Sequence, residues 1–292
     1  MEIWKAALMG IVQGIAEFLP VSSSGHLNVF REILHLDLEQ GGLLFDVMLH
    51  FGTLIAIFIV FHKDIGKMIV EGIGILRDFF YNIGVWFKKR GAGEKKEYRK
   101  VVEGAYRKFV MLVIIATIPT GIIGYFLQDI IEMAGTTLLV PGICFMITAF
   151  LLLLADFYNS GTKRPNQISY IEGVITGTAQ GIATLPGLSR SGTTIAAALL
   201  CGFEKNFAVR YSFIMSIPAV LGAVVLELKD IGKVTFTSQD ILAYSIGTLT
   251  ALVVGLISIR VMLGFIRKRK LWGFSIYCFL LGATAIIWTL VH

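Results

Sequence analysis

Two stretches of this chain are copies of one another, and each is an apolar segment broken in its middle. Residues 10–26 read GIVQGIAEFLPVSSSGH and residues 177–193 read GTAQGIATLPGLSRSGT. Superposed at a constant offset of 167 without a gap, eight of seventeen positions are identical: Gly10/Gly177, Gln13/Gln180, Gly14/Gly181, Ile15/Ile182, Ala16/Ala183, Ser22/Ser189, Ser24/Ser191 and Gly25/Gly192. Such a chain is built from two related halves. The mismatches divide the chemistry between them. The first copy has Glu17 and His26 where the second has Thr184 and Thr193, and the second has Arg190 where the first has Ser23.

The surroundings of both copies are those of a membrane protein. With 55% apolar and 16% charged residues and a mean hydropathy of +0.76, the 292-residue chain lies outside the soluble range. Runs such as LLFDVMLHFGTLIAIFIVF are long enough to cross a ~30 Å hydrocarbon layer at ~1.5 Å per helical residue. The net charge of +6 does not point to nucleic acid: twelve of the 26 Lys and Arg fall between Lys63 and Lys108, and four more form Arg267 to Lys270. Clustering of this kind marks basic loops kept in the cytoplasm. Cys144, Cys201 and Cys278 each sit in apolar sequence and read as small packing residues. The opening MEIWKAALMG lacks a basic n-region, and no cleavable signal peptide is expected.

Taken in order, residues 1–165 form a first repeat and 166–292 a second. Leu19-Pro20 interrupts the first apolar segment and Leu185-Pro186-Gly187 the second, so neither is one continuous helix, and the flanking pieces are too short to span alone. Each is expected to be a re-entrant helical hairpin, at about 3–35 and about 169–202, because non-helical backbone at depth must be buried or line a cavity. Three transmembrane helices follow each hairpin: about 43–62, 109–127 and 137–157, then about 207–227, 241–263 and 272–291. Residues 63–108 form a basic cytoplasmic segment whose amphipathic front part suits the bilayer surface. A hairpin returns to its own side, and three crossings is an odd number, so the halves insert upside down relative to each other. With 63–108, 158–168 and 264–271 in the cytoplasm, the charge bias agrees. The expected fold is an all-α integral membrane protein with an inverted-topology repeat, its two hairpin tips meeting near mid-membrane.

At that meeting point the residue types suit phosphate chemistry. Gln13 and Glu17, four apart, share a helix face. An ionised glutamate in a membrane segment seeks a wet cavity or a partner, and a hard divalent cation is one such partner. The Ser22-Ser23-Ser24-Gly25 and Ser189-Arg190-Ser191-Gly192-Thr193-Thr194 runs each open a half-helix, where free N–H groups and the dipole favour anions. Arg190 adds a planar fork that matches phosphate oxygens. His26 lies three residues after Ser23, the spacing of a nucleophile with its base, though the imidazole could equally attack phosphorus or protonate a leaving phosphate. Gly10, Gly14, Gly177 and Gly181 read as packing glycines. His35, His50, His62 and His292 read as ordinary polar residues, and Asp46, Asp156, Arg210 and Arg260 as interfacial groups near span ends.

These segments resemble a known family. QGIAEFLPVSSSGH and LPGLSRSGTT are similar to the two signature regions of the undecaprenyl-diphosphate phosphatases of the bacitracin-resistance type, and the likeness extends through FDVMLHFGTLIA and essentially the whole chain. The resemblance implies an enzyme that removes one phosphate from a C55 polyprenyl diphosphate, regenerating the lipid carrier for cell-wall polysaccharide. It implies Gln13 and Glu17 as the metal-binding pair for Mg²⁺ or Ca²⁺, with Glu17 alternatively in proton transfer. Ser23 and His26 would be the nucleophile and its acid–base partner, in either assignment, and Arg190 would clamp the diphosphate. Ser22, Ser24, Gly25, Ser189, Ser191, Gly192, Thr193 and Thr194 complete the expected substrate-binding set. Position 13 is Gln where many members carry Glu. The expected setting is the cell membrane, with the site opening outward and lipids as partners; a homodimer is compatible with this reading. Architecture alone fits a rival, a polyprenyl-phosphate flippase or ion-coupled transporter, because inverted repeats of broken helices also build transport sites.

Overall fold

The computed structural model describes residues 1–36, 42–89, 97–134, 137–158, 161–228, 237–268 and 271–291. Arg90, Lys95, Lys96, Arg269 and Lys270, members of the basic clusters, lie outside them. The described residues are helical, with only the isolated bridges Gly161–Glu204 and Lys163–Phe203 in extended pairing.

Helix α1 (Ile3–Ala16) stops ahead of Leu19-Pro20, and α2 (Ser23–Ile33) restarts after it. At about 1.5 Å per residue, neither reaches across a bilayer. Helix α3 (Gly42–Val60) runs into α4 (His62–Lys89) through a bend of 83°. Helix α5 (Ala105–Phe126) is followed by the short α6 (Gln128–Ala134) and by α7 (Leu139–Phe157). The stretch around Asp129 is thus helical. Asp129 lies in its first turn, where a carboxylate favours a helix start.

The second half begins with α8 (Tyr170–Ile182) and α9 (Arg190–Leu200), again a short pair flanking a proline break. Then come α10 (Lys205–Leu228), α11 (Ser238–Lys268) and α12 (Trp272–Val291). Among the described residues, α5, α7, α10, α11 and α12 are each long and apolar enough to cross a membrane, and the bent α3–α4 pair raises the number of candidate spans to six. Large apolar side chains such as Ile118, Phe150, Val253 and Leu280 stay exposed along these helices, as lipid-facing surfaces require.

Close helix contacts tie the two halves together. Helix α1 lies along α11, and α8 lies along α5. Glycine permits both approaches: a Cβ on Gly10 would stand 2.4 Å from the Gly247 carbonyl oxygen, and one on Gly177 2.2 Å from that of Ala116. The packing role expected of these glycines is what the structure contains. Helix α7 pairs with α12, and Asp156 at the end of α7 accepts from the Trp272 backbone N–H at 2.7 Å, capping α12. The largest core cluster joins α3, α5, α9 and α10 around Phe18, Phe203, Tyr211 and Phe213.

Candidate active site

The two broken segments form the same local device. Ser22 caps α2 by accepting from Gly25 N–H at 3.3 Å, and Ser189 caps α9 by accepting from Gly192 N–H at 3.0 Å. In each copy the hydroxyl two residues on is 3.4 Å from the cap hydroxyl, Ser24 in the first and Ser191 in the second. The copies differ in strain. Ser189 has φ −70°, whereas Ser22 is held at φ +68°, a conformation that serine rarely adopts.

The breaks face each other. A Cβ on Gly25 would lie 2.8 Å from the Cα of Gly187, and one on Gly192 would lie 3.2 Å from Pro20. Ser191 donates to the Leu19 carbonyl at 3.3 Å. Each restarting helix therefore points its first turn at the opposite half's turn.

Glu17 sits where they meet. One carboxylate oxygen is ion-paired with Arg190. The other, Oε2, accepts from the Ser23 hydroxyl at 2.6 Å and from Gln13 Nε2 at 3.0 Å. Glu17 and Gln13 are both buried; a carboxylate at that depth needs such partners. The structure thus brings together Gln13, Glu17, Ser23 and Arg190.

His26 serves a different neighbourhood. Its Nδ1 is 2.7 Å from the Ser22 carbonyl oxygen and its Nε2 is 2.7 Å from the Tyr277 hydroxyl. A carbonyl only accepts, so Nδ1 carries the proton and Nε2 accepts from tyrosine. The rings of His26 and Tyr277 stack 5.6 Å apart at 9°. Ser23 gives its hydrogen bond to Glu17, so the serine–imidazole pairing that the spacing of Ser23 and His26 suggests is not formed in this arrangement.

The remaining expected site residues divide. Thr194 is fully buried, bonded to the carbonyls of Arg190 and Ser191 and to the Ser212 hydroxyl. The Thr193 hydroxyl is buried without a hydrogen-bond partner. In the second copy Gln180, the counterpart of Gln13, donates to Thr120 Oγ1 and the Met215 carbonyl, while Thr184, the counterpart of Glu17, bonds back to Gly181. That copy supplies the guanidinium and a scaffold.

Two residues enter that motif reasoning leaves aside. His50 of α3 places Nδ1 2.9 Å from Gln13 Nε2 and 3.3 Å from Glu17 Oε2. A signal was present: His50 lies four residues after Asp46 in an otherwise apolar run, so both share a face. Tyr277 carries no such signal, its role being set by α12 alone. Beside Tyr277 and His26 opens an apolar cavity of about 610 Å³, walled by Ile11, Ile15, Leu19 and Phe274 among others.

The fold and this buried, hydroxyl-rich, charged meeting point define a multi-pass α-helical membrane protein with a polar site set between paired broken helices. Residues 6–284 match the family described as bacitracin resistance protein BacA, and the chain belongs to that family. Its relatives include proteins named undecaprenyl-diphosphatase from Methanobrevibacter smithii, 41% identical over 293 residues, from Alkaliphilus metalliredigens, 38% over 291, and from Methanosphaera stadtmanae, 38% over 291. All of this chain and at least 99% of each relative is covered.

Proposed function

We propose that this protein is an undecaprenyl-diphosphatase, which hydrolyses a polyprenyl diphosphate to the monophosphate and inorganic phosphate. The observation that carries the reading is the Ser23 hydroxyl donating to a carboxylate whose other oxygen is held by Arg190. This gives a nucleophile, its base and an anion clamp in one contact group.

In the proposed reaction the diphosphate draws Arg190 from Glu17 onto its own oxygens. The Ser22, Ser24, Ser189 and Ser191 hydroxyls and the first N–H groups of α2 and α9 line the same anion site, with the Gly25 and Gly192 N–H groups fixing the capping hydroxyls and Thr193 and Thr194 behind them. Ser23 Oγ attacks the terminal phosphorus, its proton passing to Glu17, and the bond from that phosphorus to the bridging oxygen breaks. The proton ends on the departing polyprenyl monophosphate, and water then hydrolyses the phosphoserine. His26 contributes through Nε2, which gives up the Tyr277 hydroxyl to accept from the protonated leaving phosphate. The first isoprene units lie in the apolar cavity that ends at His26. Gln13 and Glu17 would hold a divalent cation, Mg²⁺ or Ca²⁺; the donor set fits, since both side chains are buried and Gln13 Oε1 has no hydrogen-bond partner. Such an ion would supply charge neutralisation at the phosphate oxygens.

The same reading makes the halves, 1–165 and 166–292, an inverted repeat of re-entrant hairpins and spans. The exchange of partners supports it: each half's first hairpin helix, α1 or α8, packs on the equivalent long helix of the other half, α11 or α5. On this reading the 63–108 segment is cytoplasmic and the site opens to the outer face, which the clustering of basic residues supports. The exchanged packing also suits a transporter. Release of inorganic phosphate from a polyprenyl diphosphate by the purified protein in detergent decides between them, because a carrier releases none.

A further inference from the structure

Helix α4 has three sides of different chemistry. Its acids are Asp64, Glu71 and Asp78, at intervals of seven residues, so all three share one face. Each is engaged by another element. Asp64 accepts from the Tyr106 hydroxyl at 2.9 Å and pairs with Arg210 at 3.3 Å. Glu71 and Asp78 hold Nε and Nη1 of Arg107 at 2.9 and 2.8 Å, and Asp78 also pairs with Arg99 at 3.3 Å. Asn82, one turn on, exchanges two bonds of 2.8 Å with the Arg99 backbone. Tyr106 and Arg107 lie in the first turn of α5, and Arg210 in the second turn of α10. The acidic face therefore clasps the ends of two candidate spans, which sets α4 at the level of the bilayer surface. The 83° bend before it agrees: α3 lies along α11, and a helix nearly perpendicular to that pair runs in the bilayer plane.

The second side is apolar. Ile69, Ile73, Leu76, Phe80 and Phe87 recur at helical spacing opposite the acids, and Ile73 and Phe80 are 62% and 64% exposed. Two glycines set the depth of this side. A Cβ on Gly74 would stand 2.8 Å from the Arg107 guanidinium, whereas one on Gly72 would meet the Val110 side chain at 3.9 Å, one turn further into α5. Rotation about α4 from Gly74 past the acids to Gly72 thus descends towards the bilayer interior, and continuing it reaches Leu76, Ile69 and Phe80. The third side, around Gly74, is basic. With its acids engaged, α4 presents Lys63, Lys67 and Arg77 to solvent. Arg77 only leans on Asp78 through Nε at 3.4 Å, and its side chain is 67% exposed. Apolar side chains below and cations above match a bilayer surface that carries negative headgroups.

We propose that α4 is an in-plane anchor for anionic phospholipid in the leaflet at the start of α5, with its apolar side among the acyl chains and Lys63, Lys67 and Arg77 at the headgroup phosphates. The sorting of charge carries the inference: the acids of α4 face the protein, and its exposed cations border the apolar side. It stands apart from the phosphatase reading.

The test uses the full-length protein in nanodiscs of phosphatidylcholine with phosphatidylglycerol, spin-labelled at Phe80→Cys or Arg77→Cys, with wild type treated alike as background for the native cysteines. The label at position 80 should be relaxed by dissolved oxygen and spared by a water-soluble nickel complex, and the label at position 77 should show the reverse. Nickel reaching position 80, or a label there shielded from both reagents as in a protein interface, overturns the placement. The triple variant Lys63→Gln/Lys67→Gln/Arg77→Gln leaves Arg99 and Arg107 on Asp78. Its preference for phosphatidylglycerol over phosphatidylcholine, read as lipid retained in native mass spectrometry, should fall roughly fivefold or more. Equal preference in wild type and triple variant overturns the anionic-lipid assignment, and the two labels decide the placement whether or not the triple variant folds.

Discussion

Arg190 holds the carboxylate of Glu17 from the opposite half of the chain, and the same carboxylate receives the Ser23 hydroxyl. Neither charge is affordable at that depth alone. The pair is therefore both a structural tie between halves and a reserve of charge that an incoming phosphate can redirect.

Removing one partner should reveal the first role. Arg190→Met leaves Glu17 buried without its counter-ion, and loss of one member of a buried pair costs about 3–5 kcal/mol. Thermal unfolding in detergent should drop well below wild type, and the double variant Glu17→Gln/Arg190→Met should recover part of the loss. No recovery in the double variant would mean the pair carries no such coupling.

Arg190→Lys tests the second role. A lysine keeps the charge but loses the fork that grips two oxygens at once. Phosphate release should fall on the order of 10²-fold, the usual cost of losing one transition-state donor. Turnover within a few fold of wild type would remove Arg190 from the transition state.

Ser23 and Tyr277 should behave very differently. Ser23→Ala deletes the proposed nucleophile and should lower kcat on the order of 10³-fold or more. Tyr277→Phe keeps the stacked ring and removes only the hydroxyl bonded to His26 Nε2; less than about a tenfold change is expected, a small share of the ~10²–10⁴-fold that acid–base catalysis supplies. Equal losses in steady-state assays would shift the chemistry from Ser23 towards His26.

The apolar cavity makes a prediction about chain length. Gly273 lines it, and a Cβ there would meet nothing within 4 Å, so Gly273→Trp fills the space without displacing the helix. KM for a long polyprenyl diphosphate should rise several-fold while that for a five-carbon diphosphate stays unchanged. A uniform effect on both would move the tail elsewhere.

Close helix approach can be tested away from the chemistry. Gly177→Ala drives a methyl into the Ala116 backbone and should cost about 1–3 kcal/mol. Gly222→Ala on α10 enters open space and should be neutral or slightly stabilising, as alanine outranks glycine in a helix. Comparable melting temperatures for the two variants would show that α8 can back away from α5.

Much of this protein is written locally. Apolar runs long enough to span, prolines that end α1 and α8, serines that cap α2 and α9, and Gln13 one turn from Glu17 all depend on neighbours within a few residues, and sequence alone determines them. The duplicated segment even announces that Glu17 and Arg190 come from the equivalent broken segments of the two halves. Which partner each side chain takes is another matter. Ser23 turns to Glu17 and leaves His26 to Tyr277, and His50 arrives at Glu17 from α3, because helices remote in the chain pack side by side and their contacts leave no period in the sequence. Tertiary packing, by deciding which donors share a buried volume with one carboxylate, decided how the site is wired.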